Sequence, residues 1–241
     1  MVVVPGGDFL RGRTHDWPDT RLKWYPNPLK DDVPVGPVVL DSFLMDEAEV
    51  TNRKYLEFVR ETGHRPPFHW IDGVPQSDAG DQPVANVSWD DATAYCAWVD
   101  KRLPTEAEWE KACRGGRESE MYPWGDDEPT EELARFGAPS DGPVDICQKK
   151  KNDLGLCDMS GNVWEWTADW WSRTYYAEAP EVNPEGPTTG QYRALRGGSW
   201  FDKKSSLFLT CSYRSWARPT ERSPTIGFRC AKALGADGSE D

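Results

Sequence analysis

The segment from Gly155 to Trp171 constrains the fold more than any other part of the chain. It reads GLCDMSGNVWEWTADWW and combines four tryptophans and two glycines with the carboxylates Asp158, Glu165 and Asp169. Glycine permits tight or left-handed backbone, carboxylates are the hard oxygen ligands that calcium prefers, and indole rings are large, rigid packing bodies. The segment therefore predicts a cation-stiffened loop inside an aromatic core.

The composition favours one loop-rich domain with an aromatic core. The chain has 241 residues without an internal repeat or a long polar linker, so we expect a single domain over residues 1–241. Hydrophobic content is only 37%, but 13 Trp, 8 Tyr and 8 Phe supply large apolar surfaces. The 21 Gly and 20 Pro are spread along the chain, which predicts many turns and short elements.

The charge and the ends of the chain limit its partners. A net charge of −13 argues against nucleic acid and anionic membranes, which are bound through Lys and Arg, and favours cations or basic peptides. No apolar run is long enough for a membrane-spanning helix, so no membrane insertion is expected. The opening MVVVPGG lacks a leader pattern. A trimmed leader would imply a periplasmic or secreted protein, and otherwise we expect a cytoplasmic one.

Local patterns predict strands first and then three helices. Residues 1–12 and 37–45 carry strand-like apolar runs bounded by Pro or Gly, with a loop over 13–36 between them. Beyond Cys113 the sequence shows only loop and short-strand signals, with strands expected in 191–199 and 225–233. Each helix start is marked by a capping residue. Thr51 begins the first helix and Gly63 ends it. Ser88 begins a second helix that runs to about Val99, and Thr105 with Glu108 forms a capping box at the start of the third.

Several motifs, in order, resemble one enzyme family. They are VPGGDFLRG at 4–12, EVTNRKYLEFV at 49–59, KRLPTEAEWEKACRGG at 101–116, YPWGDD at 122–127, GNVWEW, RGGSW and IGFRC. Together they resemble the formylglycine-generating enzymes, or sulfatase-modifying factors, over essentially the whole chain. The resemblance implies an α+β C-type-lectin-like fold with few short helices, small antiparallel sheets and extensive ordered loop. It leaves activity open, because the superfamily includes thiol oxidases, inactive paralogues and retroelement-diversified binding proteins.

The six cysteines show no CxxC pair and no zinc-type spacing with histidine. The resemblance implies a disulfide between Cys96 and Cys230. It also implies a partner for Cys113 five residues past Cys211, where this chain has Trp216, so we expect Cys113 to be a buried free thiol. Cys147 and Cys157 have no family counterpart, and they either pair with each other or are free.

The resemblance implies an active site with two cysteines five residues apart between GGSW and GFR. Such a thiolate pair suits copper(I). Counting back from IGFRC places Cys211 on the second position and Ser206 on the first, or Leu207 with a one-residue gap. Serine cannot replace a thiolate for copper(I), so the chain resembles a diverged member lacking one active-site cysteine. The candidate catalytic residues are Cys211, Arg214 and Trp164.

The resemblance also implies calcium sites. One maps onto the side chains of Asp158 and Glu165 and the backbone carbonyls of Gly161 and Val163. Carboxylates alternating with carbonyls at short spacing are suitable ligands for a hard cation. The family's other site begins at the position of Arg135, which cannot bind a cation, so we expect this site to be lost or to be replaced by an internal ion pair.

Three functional hypotheses follow. The first is a diverged oxidoreductase acting on a peptide or peptide-like substrate, with copper-thiol chemistry incomplete. The second is a non-catalytic domain that binds a peptide or protein ligand. The third is an iron-dependent oxidase or hydroxylase using His64 and His69. The second hypothesis places the ligand on the segment that is variable in retroelement-diversified relatives, with the contacts Trp200, Phe201, Tyr213, Trp216 and Arg222.

Overall fold

The computed structural model describes residues 1–15, 31–117, 119–138, 140–202 and 206–234. Most of the predicted loop over 13–36 lies outside these residues. The described chain is an α+β structure of short helices, three small sheets and long connecting loops. None of its described helices is long and apolar enough to cross a membrane.

The three predicted helices begin at their predicted caps. Thr51 accepts a hydrogen bond from the Lys54 amide, and Ser88 and Thr105 form capping boxes. Gly63 ends the first helix with φ 70°, a left-handed conformation that favours glycine. A fourth helix has only four residues, too few to produce a periodic pattern in the sequence. The helices are α1 (Asn52–Thr62), α2 (Trp89–Trp98), α3 (Glu106–Arg114) and α4 (Tyr175–Glu178).

Nine short strands form the three sheets. The first sheet has the order β1-β4-β9 and brings both ends of the described chain together, and the second is the β2-β3 hairpin-like pair. The third has the order β7-β6-β5-β8, antiparallel except for the β5-β8 pair. The strands are β1 (Val2–Val4), β2 (Gly7–Arg11), β3 (Gly36–Leu40), β4 (Phe43–Met45), β5 (Trp164–Trp170), β6 (Arg193–Arg196), β7 (Ser215–Ala217), β8 (Ile226–Gly227) and β9 (Ala231–Ala233).

The core is rich in aromatic side chains. The largest cluster lies between α1, α2 and the third sheet, where Tyr55 stacks on Tyr95 and both rings meet Phe228 edge-on. Trp166 is buried in the same cluster, while Trp109 of α3 lies in a second one. The tryptophans of the Gly155–Trp171 segment thus contribute to the core through β5, as its composition suggests.

All six cysteines are paired in three disulfides. Cys96 of α2 is joined to Cys230 near the last strand, as the family resemblance implies. Cys147 and Cys157 pair with each other, which decides between the two alternatives that the sequence left open. The prediction for Cys113 is wrong, because this residue is bonded to Cys211 rather than free.

Candidate functional site

The Cys113–Cys211 disulfide overturns the catalytic role predicted for Cys211. The sulfur of Cys211 is buried and shared with Cys113, so it offers no thiolate. Cys211 therefore occupies the bridging position that the sequence comparison assigned to Trp216. The family's two thiol positions, counted back five and ten residues from Cys211, fall on Ser206 and Phe201. Both active-site thiols are thus absent, not one of them.

Arg214 is also not available to a substrate. Its guanidinium is buried and bound by both carboxylate oxygens of Glu106, each at 2.8 Å. A further nitrogen donates to the carbonyl oxygen of Asp31 at 2.7 Å. Burial opposes the charge, but the adjacent Glu106 outweighs it and the pKa of Arg214 is raised. The predicted catalytic role is wrong, and the residue is part of the buried charge network below α3.

Trp164 lies at the start of β5 and forms an aromatic floor near the two lost thiol positions. Its ring is 8% exposed and packs against Phe208 and Tyr213, with centroids 6.2 and 6.0 Å away. Asp202 accepts hydrogen bonds from the backbone and hydroxyl of Ser199. Burial raises the pKa of Asp202, and hydrogen bonds from Ser199 and Trp164 oppose that rise.

Part of the predicted ligand surface forms beside this floor. The Phe201 side chain is 50% exposed and meets the half-buried Trp200 ring edge-on at 5.6 Å. The Trp200 indole donates to the Pro224 carbonyl at 3.3 Å. Arg222 lies in the same loop and donates to the carbonyls of Asn86 and Pro66. The segment 222–224 thus connects these side chains, because it contains both Arg222 and the carbonyl that holds Trp200, the neighbour of Phe201.

Two other predicted contacts have different roles. Tyr213 belongs to the floor, where its ring packs against Trp164 and Phe208. The Trp216 ring stacks on that of Trp171, with the centroids 4.3 Å apart. Trp171 follows the last residue of β5, whereas Trp164 is the first residue of that strand. Trp216 therefore packs within the third sheet, away from the other predicted ligand contacts Trp200 and Phe201.

A turn that sequence reasoning overlooked adds apolar surface. Phe68, Ile71 and Val74 are exposed, with Phe68 64% accessible. The guanidinium of Arg222 lies 5.4 Å from the Phe68 ring centroid, which links this turn to the loop of the ligand surface. The signal in the sequence was weak, because three apolar residues within a Pro- and Gly-containing loop are ordinarily buried. We name Trp200, Phe201, Arg222 and Phe68 the aromatic surface.

In the loop predicted to bind calcium, one of the expected ligands is already engaged by an arginine. Both oxygens of Glu165 are bound by the Arg229 guanidinium at 2.7 Å, and one also accepts from the Trp109 indole. A guanidinium thus neutralises the carboxylate that was predicted to bind calcium. The Asp158 carboxylate accepts one hydrogen bond, from the Cys147 amide at 2.6 Å. Gly161 and Val163 remain in the loop between them.

Glu49, which sequence reasoning did not single out, is a buried carboxylate close enough to Asp158 for their charges to interact. Its side chain is 1% exposed, and neither carboxylate oxygen has a hydrogen-bond partner. Burial raises its pKa well above the usual range, and the nearby carboxylate of Asp158 raises it further while Arg229 opposes the rise. Three carboxylates thus share one guanidinium. Unpaired buried oxygens beside Asp158 are a donor set that fits a hard divalent cation.

The other metal predictions have different outcomes. Arg135 stands at the second calcium position and contacts Asp141 at 3.6 Å, but the Asp141 side chain is 63% exposed, so this is a surface contact and not an internal ion pair. The imidazole of His64 bonds Asp91, while that of His69 bonds the Asn86 amide. Within the described residues, the one trio of ligating groups combines Glu47 with Cys147 and Cys157, whose sulfurs form a disulfide. No trio within the described residues contains a histidine, and the imidazoles of His64 and His69 are engaged by Asp91 and Asn86.

Comparison with known proteins now places the chain. A profile described as the sulfatase-modifying factor enzyme 1-like domain matches residues 1–234. The formylglycine-generating enzyme of Streptomyces coelicolor is 37% identical, over 96% of this chain and 88% of that protein. The chain belongs to the formylglycine-generating-enzyme family. The predicted family and the predicted C-type-lectin-like α+β fold are thereby confirmed.

Two further relatives show the range of this family. A mouse protein named inactive C-alpha-formylglycine-generating enzyme 2 is 33% identical, over 98% of this chain and 86% of that protein. The solved structure of PvdO from Pseudomonas aeruginosa superposes with a TM-score of 0.77 at 29% identity, covering 96% of this chain and 93% of that one. The family is therefore settled, while activity depends on the site residues of this chain.

Proposed function

We propose that this member of the formylglycine-generating-enzyme family is a non-catalytic domain that binds a peptide or protein segment on its aromatic surface. One observation carries the proposal: every cysteine is bound in a disulfide, and Phe201 and Ser206 stand where the family's thiols belong. Copper(I) needs soft thiolate ligands, which neither side chain supplies. The oxidoreductase hypothesis loses its reacting group, and the binding hypothesis keeps its surface.

The aromatic surface has the chemistry of a peptide-binding site. Exposed aromatic side chains offer large contact areas at low cost in conformational entropy, and such residues are enriched at binding hot spots. Phe201 and Phe68 are exposed, while Trp200 and Arg222 are held by backbone hydrogen bonds. The net charge of −13 favours a partner of basic character. The mouse relative named inactive supports loss of catalysis within the family.

The first test measures thiols, copper and turnover together. Denatured, unreduced protein should show no free thiol, and native protein with its three disulfides intact should bind no copper(I) with the affinity of a dithiolate site. It should also leave a cysteine-containing peptide unmodified. Restoring both thiols by Phe201→Cys with Ser206→Cys should create copper(I) binding, which serves as the positive control. Turnover of the peptide by the unaltered protein would contradict the proposal.

The second test addresses binding directly. Selection from a displayed random-peptide library should yield binders with an excess of Lys and Arg. Phe201→Ala and Phe68→Ala should each weaken the selected peptides by about tenfold or more, the loss of a typical hot-spot contact. Val182→Ala removes an equally exposed apolar side chain outside the surface and should change nothing. Equal losses in all three variants would reject the aromatic surface.

We further propose that calcium binds between Asp158 and Glu49, with the carbonyls of Gly161 and Val163 as additional ligands. The cation would satisfy the two unpaired oxygens of Glu49 and stiffen the loop that leads into β5. Trp164 at the start of that strand forms the floor of the binding site. Calcium thus has a structural role in this proposal, and no chemical step is assigned to it.

Calcium should raise the thermal unfolding temperature of protein pretreated with chelator. Saturation at a hundred times the dissociation constant stabilises a protein by about 2.7 kcal/mol. Glu49→Gln should remove most of the calcium-dependent shift, because it removes one anionic ligand. Glu47→Gln is the matched control, since Glu47 is half exposed and pairs with Lys151. An unchanged shift in Glu49→Gln would show that Glu49 is not a ligand.

Three disulfides also bear on the compartment. Disulfides persist in oxidising environments and are rare where thioredoxin and glutathione keep thiols reduced. Because every cysteine of the chain is paired, we propose a periplasmic or extracellular location. Thiol labelling in intact cells of the source organism, before and after permeabilisation, would test this location.

A further inference from the structure

A cleft of 580 Å³ lies apart from both the aromatic surface and the calcium loop. Its walls come from the first sheet, from α2, from the start of α3 and from the loop 183–185. No residue of the aromatic surface and no proposed calcium ligand lines it. The volume falls in the range of small-molecule sites in proteins.

Arg193 of β6 lines this cleft and forms no ion pair with a carboxylate of the described residues, although the charges of Asp169 and Asp90 favour its protonated form. The guanidinium lies between two indole rings, 3.7 Å from the Trp89 centroid and 3.6 Å from the Trp170 centroid. One terminal nitrogen donates to the Ala168 carbonyl at 2.6 Å, whereas Nε is buried without an acceptor. Within the part of the chain that the structure describes, no carboxylate forms an ion pair with it.

Other arginines of the described chain show how unusual this is. Arg214 and Arg229 are buried and each binds a carboxylate in two-point geometry. Arg102 lines the same cleft and is bound to both oxygens of Glu108 at 2.6 Å. Burial lowers the pKa of Arg193, although it remains charged at neutral pH because the usual value is far above 7. The cation–π contacts hold the guanidinium in place but leave its hydrogen bonds incomplete.

The two indole rings determine how a ligand can reach Arg193. They cover both faces of the guanidinium, so a ligand can bind only in its plane, through the N–H groups at the edge. A carboxylate matches that edge, because its two oxygens accept two parallel N–H bonds. Thr93 also lines the cleft, and its hydroxyl is buried without a partner. The site therefore lacks an acceptor that a ligand carboxylate can supply.

The other residues that line the cleft indicate the charge and polarity of the part of the ligand that does not contact Arg193. Arg102 neutralises Glu108 in the lining, so Asp41 and Glu185 remain against the single charge of Arg193. This balance disfavours a phosphate or another multiply charged anion more than a single carboxylate. The remaining walls are largely apolar, so they suit a hydrocarbon or an aromatic ring. Apolar side chains of the lining are Leu40, Phe43, Leu103, Ala168, Pro184, Ala233 and Leu234.

We propose that the cleft binds an organic monocarboxylate with an apolar body, its carboxylate lying in the plane of Arg193. The same chemistry occurs in a small free acid and in the C-terminus of a peptide that ends in an apolar residue. This site is independent of the aromatic surface, so either proposal can fail without the other. The two sources are distinguished by the probes below.

The test is calorimetric titration with two pairs of matched probes. Hydrocinnamate represents the free acid, and acetyl-Ala-Leu-Phe with a free C-terminus represents the peptide. Hydrocinnamide and the C-terminally amidated peptide differ only in lacking the charge. We expect at least one acid to bind and its amide to bind at least about tenfold more weakly, the loss of a charge-assisted pair. Equal binding of acid and amide, or no binding of either acid, would overturn the proposal.

Variants connect the binding to Arg193. Arg193→Gln should weaken the acid by at least about tenfold, and Arg193→Lys should recover only part, because an ammonium cannot make the two-point contact. The control Arg218→Gln removes an exposed arginine outside the cleft and should bind normally. Should the Arg193 variants fail to fold, Thr93→Val retains the shape of α2 and should still weaken the acid severalfold. The site would be rejected if Thr93→Val bound the acid with full affinity and the wild-type protein bound the acid and its amide equally well.

Discussion

Arg229→Met should be among the most destabilising single substitutions in this protein, with a loss of about 3–5 kcal/mol in the free energy of unfolding. The wild-type guanidinium is buried and donates to both oxygens of Glu165, and it also reaches the Cys157 carbonyl at 2.9 Å. Methionine fills a similar volume but leaves Glu165 buried without its cation. Glu49 and Asp158 lose the same positive charge, so three carboxylates would remain uncompensated.

Urea unfolding in the presence of chelator would measure this loss. Arg53→Met is the matched control, because Arg53 also binds both oxygens of one carboxylate, Asp81, but with both partners about 60% exposed. Exposed pairs contribute about 0–1 kcal/mol. The double variant Arg229→Met with Glu165→Met should be more stable than Arg229→Met alone, because it removes one stranded charge. A loss in Arg229→Met no larger than that in Arg53→Met would show that water reaches the pair.

Elements controlled by neighbouring residues were predictable from the sequence. The caps at Thr51, Ser88 and Thr105 define helix starts because each side chain bonds an amide three residues later, within one turn. Strands β1 to β4 follow from apolar runs between Pro and Gly, although their pairing was not predicted. The helix Tyr175–Glu178 was missed, because one turn of helix carries no periodicity.

The charged core was not predictable in this way. Arg229 and Glu165 are 64 residues apart in the sequence, and Arg214 and Glu106 are 108 apart. No local pattern marks a charged residue whose partner is that distant. For the same reason Arg214 was predicted to be catalytic, Glu165 was assigned to calcium, and Glu49 was not recognised as an unpaired carboxylate.

The error in the cysteine register has a different cause. Counting from the motifs GGSW and GFR fixes the two ends of a segment but not the register within it, because an insertion or deletion between the motifs shifts every position beyond it. Placing Cys211 on an active-site position left Cys113 without a partner, and an unpaired buried cysteine should have counted against that alignment. The Cys113–Cys211 disulfide removes the inconsistency and changes the functional conclusion from an incomplete copper site to none.

The two long disulfides should be strongly coupled in their effect on stability. The loop closed by Cys113–Cys211 lies inside the one closed by Cys96–Cys230, with sequence separations of 98 and 134 residues. When both disulfides are present, they close a small ring together. This ring consists of the two bonds and two chain segments, of 17 residues from Cys96 to Cys113 and of 19 residues from Cys211 to Cys230. Removing either bond opens this ring, whereas removing both also frees one large loop.

Chain-entropy estimates give the expected size of this coupling. Replacing either pair by alanines should cost about 3.5–4 kcal/mol, and replacing both pairs about 8–9 kcal/mol, more than the two single losses together. Cys147→Ala with Cys157→Ala is the control, because that bond closes a separation of only 10 residues and should cost about 2.5–3 kcal/mol. Denaturant unfolding of the four variants supplies each value. Strict additivity of the two long bonds would show that residual structure, not chain entropy, limits the unfolded state.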